Sequence, residues 1–277
     1  MDKSNERQRS QGSRNALLRA VYAERLEPRM LLSGGYARTL DLSFTPPLSG
    51  SDPQSLVTDS RGDLFGTTNS GGATDDGTIF EIASGTSIVK TLANFNQTTG
   101  SAPGPLVIDS NGDLFGTTTF GSLNGGGAAF EVPAGTSSIS LLADNFTQDY
   151  DDYGNFTGPM VYSEEYLYGT SFLSMPGKSE GEIMDLNVAT GKITDIAQFN
   201  GYPEGLTLGP NGDLFGTTET GISENVANVF EFSFLSGTVT TIASLNGSNG
   251  FWPQSGLVFD PDGNLYGTTE NGSQTNY

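Results

Sequence analysis

The heptapeptide GDLFGTT occurs at residues 62–68, 112–118 and 212–218, and relaxed copies stand at 165–171 (EYLYGTS) and 263–269 (GNLYGTT). Its central glycines, Gly66, Gly116, Gly169, Gly216 and Gly267, are therefore 50, 53, 47 and 51 residues apart. A chain that repeats itself at a fixed period is built from one supersecondary unit that cannot bury its apolar faces alone, so neighbouring copies must stack. A period near fifty is that of a blade.

The first complete unit divides into four short apolar runs: SLVTD (55–59), DLFGTT (63–68), TIFEI (78–82) and SIVKTLANF (87–95). Between them lie SRG, a Gly-rich loop NSGGATDDG, and ASGT, which is hairpin-turn chemistry. The second unit repeats this as PLVID, DLFGTT, AAFEV and SISLLADNF. Four antiparallel strands per repeat predict an all-β β-propeller of about five blades, the last incomplete. The expected units are 51–100, 101–157, 158–200, 201–250 and a partial 251–277, with 37–44 read as the fourth strand of a blade. Within the heptapeptide, Leu64 and Phe65 point to opposite faces, each covered by an adjacent blade. Gly66 is expected to let an aromatic ring or a backbone approach closely. A β-solenoid or a pair of sandwiches fits less well, because solenoid coils are shorter and sandwiches do not repeat internally.

Composition narrows the chemistry. The chain has no Cys and no His, which removes disulfides, thiolate nucleophiles, imidazole bases and imidazole metal ligands. No cofactor is expected; any metal site would need oxygen ligands, which points to Ca²⁺ or Mg²⁺ rather than Zn²⁺, with a Ca²⁺-stabilised propeller as the alternative. The net charge is −20, yet residues 1–33 carry seven Lys/Arg and four Asp/Glu, while residues 34–277 carry five basic against 28 acidic residues. So acidic a body repels phosphate backbones, which argues against nucleic acid as a partner. No window of eighteen apolar residues is present to predict a transmembrane segment.

Residues 1–36 form a separate basic leader, helical or disordered, in which Leu17, Leu18, Val21, Tyr22 and Leu26 recur at helical spacing until Pro28. LEPRMLLSG at 26–34 resembles the LEPR-XLL motif of bacterial exported proteins, with Leu26, Glu27, Pro28, Arg29, Leu31 and Leu32 matching in order. The units from residue 37 onward resemble the GloVer tandem repeat of choice-of-anchor-type exported proteins; PLVIDSNGDLFGTTTFGSLNGGGAAFEV carries the likeness most fully. Blade three departs from it, replacing the Asp-x-x-Gly turn with Glu164–Glu165. The resemblance implies an extracellular or cell-envelope address and assigns no reaction. Because the repeat breaks off within a blade, the chain is also expected to be a piece of a longer protein.

No residues are assigned to catalysis, to cofactor binding or to a metal. Third strands place an acid after a bulky residue at Glu81, Glu131, Asp185 and Glu231. These are read as solvated or turn-satisfying groups, with a cation site or an electrostatic rim as the alternative. DPDGN at 260–264 opens like a calcium loop but lacks the downstream Glu; an Asp that accepts backbone N–H groups in a turn explains it equally. The candidate ligand loop is TQDYDDYGNF (147–156), an acidic-aromatic insertion bearing Asp149, Tyr150, Asp151, Asp152 and Tyr153, with Trp252 as a further aromatic platform. The expected function is a non-catalytic repeat protein that acts as a structural and interaction module toward surface glycans or proteins. The rival is a carbohydrate-binding or carbohydrate-cleaving propeller that uses the 147–156 loop.

Overall fold

The computed structural model describes residues 50–121, 127–144, 152–175, 178–219, 227–246, 248–253 and 256–272. Every regular element among them is a strand. The leader and the expected strand at 37–44 lie outside the described residues.

Four sheets of four antiparallel strands follow one another, each ordered as in the chain. The first contains β1 (Ser51–Thr58), β2 (Leu64–Ser70), β3 (Thr78–Ile82) and β4 (Val89–Asn94). The second has β5 (Ser101–Ile108), β6 (Leu114–Phe120), β7 (Ala128–Val132) and β8 (Ser140–Ala143). The third has β9 (Asp152–Ser163), β10 (Tyr166–Met175), β11 (Lys178–Asn187) and β12 (Ile193–Asn200). The fourth has β13 (Pro203–Leu208), β14 (Leu214–Thr218), β15 (Ala227–Ser233) and β16 (Thr238–Leu245). A fifth unit supplies two strand positions, each in two pieces: β17 (Phe251–Pro253) pairs with β20 (Thr269–Asn271), and β18 (Val258–Phe259) with β19 (Leu265–Tyr266). First strands lie side by side, β1 against β5, β5 against β9 and β9 against β13. This is the fan of a β-propeller with first strands innermost.

The apolar clusters show why one blade cannot stand alone. Phe65, Ile79 and Ala93 of the first blade pack against Leu106, Leu114, Phe130 and Val132 of the second. Phe115 and Ala129, on the opposite face of that second blade, pack against Met160, Leu167, Met184 and Leu186 of the third. Adjacent residues such as Leu114 and Phe115 thus serve different interfaces, as the period-two alternation requires. Val161, Tyr168 and Ile183 then meet Leu206, Leu214 and Phe230, and Phe215 meets Leu257 and, at 5.0 Å, Phe259.

The glycine of the heptapeptide is a steric necessity. A Cβ on Gly66 would lie 2.5 Å from Phe80 Cζ, and Gly116 and Gly216 stand in the same relation to Phe130 and Phe230. In each case the tip of the third-strand Phe ring occupies the space beside the glycine of its own blade. Phe130 also meets the last aromatic of the preceding blade, Phe95, at 4.9 Å edge to face, and Phe230 meets Phe199 at 4.7 Å.

The threonines do more than favour extended backbone. Thr67 is fully buried and donates through Oγ1 to Gly104 O of the next blade at 2.8 Å, and Leu106 N donates to Ser55 Oγ at 3.1 Å. Thr207 Oγ1 donates likewise to Leu257 O. Thr68 pairs with Thr78 through their hydroxyls at 2.8 Å. Thr67→Val keeps the shape and removes one bond between blades. It is expected to cost about 1 kcal/mol, measured as a lower urea midpoint at unchanged m-value.

Turns at the opposite end follow one scheme. Asp59 Oδ1 accepts the N–H groups of Arg61 and Asp63, while Asp63 Oδ1 accepts that of Ser84 in the neighbouring turn. Asp109 and Asp113 repeat this with Asn111, Asp113 and Ala134. The third blade manages with Glu164 and Glu165, both at positive φ (51° and 68°), which is the backbone of a two-residue hairpin turn held without the usual Asn-Gly.

Candidate functional site

The chemistry-bearing side chains gather at three places: the end of the fan that carries the β1–β2 and β3–β4 turns, the opposite end of the fourth blade, and the Phe251–Trp252 aromatic pair of the fifth.

At the turn end a cleft of about 760 Å³ opens between the first two blades. Phe65, Leu92, Ile108, Leu114 and Val132 line its apolar part, and Asp59, Ser60, Arg61, Glu81, Asp109 and Asn111 contribute the polar part. Arg61 binds Asp59 Oδ2 through Nε at 2.9 Å, and its Nη2 lies 3.1 Å from Asp63 Oδ2. Burial alone would raise the Asp59 pKa, but the hydrogen bonds from Asp63 N–H and from Arg61 outweigh it and hold the carboxyl below its usual range. Lys90 Nζ lies 3.0 Å from Glu81 Oε2. In the second blade Asn111 replaces Arg61, and Ser140, opposite Glu131, replaces Lys90. Glu131 accordingly rises, through burial first and then through Asp113 and Asp109.

The other third-strand acids likewise answer to their own blades. Asp185 is raised by burial, which a hydrogen bond with Thr194 and the charge of Lys192 partly offset. Glu231 Oε1 receives a long 3.5 Å contact from Asn211 Nδ2.

The DPDGN segment is a turn whose carboxylate is already engaged. Asp260 Oδ1 accepts the N–H groups of Asp262 and Asn264, and Oδ2 accepts from Asn264 Nδ2 and Tyr266 Oη. These bonds, led by the Asn264 amide, lower its pKa. Among the described residues no group of three or more Asp or Glu is placed to hold a metal ion.

At the opposite end of the fourth blade, Glu204 on β13 and Glu219, just beyond β14, bring two carboxyl groups into hydrogen-bond contact. Burial pushes Glu204 up to about 7, with the charge of Glu219 and its hydrogen bond adding to the shift. The backbone fixes the pair: Pro203 is opposite Thr218, and Glu219 N donates to Tyr202 O at 2.7 Å. The two acids stand where the first blade has Gln54 and Asn69 and the second has Gly104 and Thr119. That double departure from the repeat is the signal by which sequence alignment of the blades finds them; sequence reasoning passed over it.

Of the expected ligand loop, Asp149, Tyr150 and Asp151 lie outside the described residues. Asp152 and Tyr153 begin β9, opposite Leu173 and Phe172 of β10, so the strand starts where an insertion loop was expected. Trp252 is 39% exposed, sits at φ 55° and lies 5.0 Å from Phe251, ring to ring. A bulky residue at positive φ is strained backbone; Asp52 and Ala102 hold the equivalent place at φ 60° and 53°. The strain therefore belongs to the repeat, and the fifth blade is the one that puts an indole there. No helix among the described residues is long and apolar enough to cross a membrane.

Residues 29–202 match the model of the Gloeobacter/Verrucomicrobia repeat, well over half of the chain. No curated protein matches the sequence. Solved structures that share the fold include the following three. One comes from a nidogen/laminin complex (16% identity, TM-score 0.54, covering 78% of this chain and 72% of that one). Another is a gluconolactonase from Xanthomonas campestris (16% identity, TM-score 0.54, 78% and 69%). The third is a protein of unknown function from Dyadobacter fermentans (10% identity, TM-score 0.51, 81% and 76%). At such identities the likeness concerns the propeller fold alone.

Proposed function

This chain belongs to the Gloeobacter/Verrucomicrobia repeat family, and from that premise we propose that it is a non-catalytic, exported or cell-surface repeat protein acting as a structural and interaction module. The observation that carries this reading is how the repeated polar groups are used. Thr67, Ser55, Asp59, Asp63, Asp109 and Asp113 each hold a backbone group of their own or the next blade. The recurring chemistry builds the scaffold, and function is left to positions that depart from it. The LEPR-XLL-like segment of the leader supports the envelope address.

Two measurements test the proposal. A membrane-impermeant biotin reagent applied to intact native cells is expected to label the protein; labelling only after lysis overturns the address. Gluconolactone and neutral oligosaccharides are expected to remain chemically unchanged on incubation with the chain. Turnover that disappears in Glu204→Gln would make the carboxyl pair catalytic.

A second reading, carbohydrate binding or cleavage, is favoured by Trp252, whose exposed ring is suited to stacking on a sugar. Asp151→Ala, Tyr153→Ala and Trp252→Ala then weaken binding on a glycan array.

A further inference from the structure

We propose that the cleft between the first and second blades binds a neutral oligosaccharide. This rests on the reading of the chain as an interaction module and names the ligand class of a site separate from Trp252 and the 147–156 loop.

The volume, about 760 Å³, falls within the roughly 300–1,000 Å³ of small-ligand sites. Its composition suits a molecule with one apolar face and many hydroxyls. The half-buried Leu92 and Ile108 offer hydrocarbon over a floor of Phe65, Leu114 and Val132, while the Arg61 guanidinium, the Asn111 amide and the hydroxyls of Ser60 and Ser110 border it. These groups include both donors and acceptors.

Charge decides between the ligand classes. An anion meets Asp59, Glu81 and Asp109 in the lining of a chain whose net charge is −20, so the field opposes it. A cation would have to displace Arg61 from Asp59 and Asp63, and Lys90 from Glu81, at contacts of 2.9–3.1 Å. Nor is Asp109 open to it: Oδ1 accepts the N–H groups of Asn111 and Asp113, and Oδ2 accepts Asn111 Nδ2. A purely apolar ligand would strip water from this rim and return no hydrogen bonds. A sugar satisfies both parts: its C–H face covers the hydrocarbon and its hydroxyls bond the rim. Arg61 marks the place as special, since the equivalent turns carry Asn111, Asn211 and Asp262. Its side chain is 72% exposed and is held by the two aspartates with the guanidinium already oriented.

The test uses the full chain with cellotriose, maltotriose and mannotriose as neutral probes and trigalacturonate as the charged control, followed by calorimetry and saturation-transfer NMR. At least one neutral trisaccharide is expected to bind with Kd of about 1 mM or tighter. Ala134 is an exposed turn residue at the mouth, so Ala134→Trp fills the entrance without touching the core. It is expected to weaken binding at least about tenfold, a loss of about 1.4 kcal/mol. Arg61→Gln weakens it several-fold while the circular dichroism spectrum is unchanged. Binding by none of the neutral sugars, or tighter binding of trigalacturonate, overturns the proposal. Binding that survives Ala134→Trp but is lost in Trp252→Ala also overturns it, while leaving the interaction-module reading in place.

Discussion

Phe130→Ala is expected to lower the unfolding free energy by about 3–5 kcal/mol. The ring is fully buried. It packs edge to face on Phe95 of the first blade and its tip occupies the space beside Gly116 of its own, so its removal opens a cavity that two blades share. A companion variant separates this account from generic core damage. Gly116→Ala alone drives a methyl into the ring and costs about 1–3 kcal/mol. In the Phe130→Ala background the methyl enters the vacated space and relieves the strand of a glycine, a gain of about 0.5–1 kcal/mol. Urea titrations of the four proteins give the coupling energy directly. Additive losses would mean that the glycine and the ring do not occupy one another's space.

Glu204→Gln is expected to act in the opposite direction, and increasingly as pH rises above 4.5. The folded pKa of Glu204, about 7, exceeds its ordinary value of 4.5. Folded protein therefore holds a proton that the unfolded chain releases. The stability linked to that proton is fully present below 4.5 and is lost as pH rises through about 7. At 1.36 kcal/mol per unit the shift sets a ceiling of about 3.4 kcal/mol. Half-exposure of the pair screens this to about 1–2 kcal/mol. The introduced carboxamide would donate to Glu219 at every pH, so the variant's melting temperature should vary less between pH 5 and 8 and exceed that of the parent at pH 8. Parallel pH profiles for the two proteins would show that the carboxyls are not coupled.

Much of the fold can be read from a single fifty-residue unit. The spacing of the heptapeptides locates each second strand, and alternation assigns Leu114 and Phe115 to different neighbours. The need for glycine at position 66 and the role of Asp59 in its turn follow from local chemistry. What stayed hidden depends on the relation between strands or blades. Glu204 and Glu219 meet because of a register shift between Pro203 and Gly205, and no propensity encodes which residues a bulge brings together. The start of β9 at Asp152 was obscured because TQDYDDYGNF is rich in turn formers; pairing with β10 overrides that preference. The cleft belongs to no segment at all, since its walls are strands and turns of two successive units.

The bonds that tie one blade to the next join residues 37, 51 and 50 positions apart, at Thr67–Gly104, Ser55–Leu106 and Thr207–Leu257. None of them has to wait for a distant part of the polypeptide. During synthesis a blade can settle onto its predecessor as soon as the following fifty or so residues clear the ribosome, so loop-closure entropy is met in small, equal instalments. Nascent chains arrested at successive lengths should gain protease resistance in steps of one repeat.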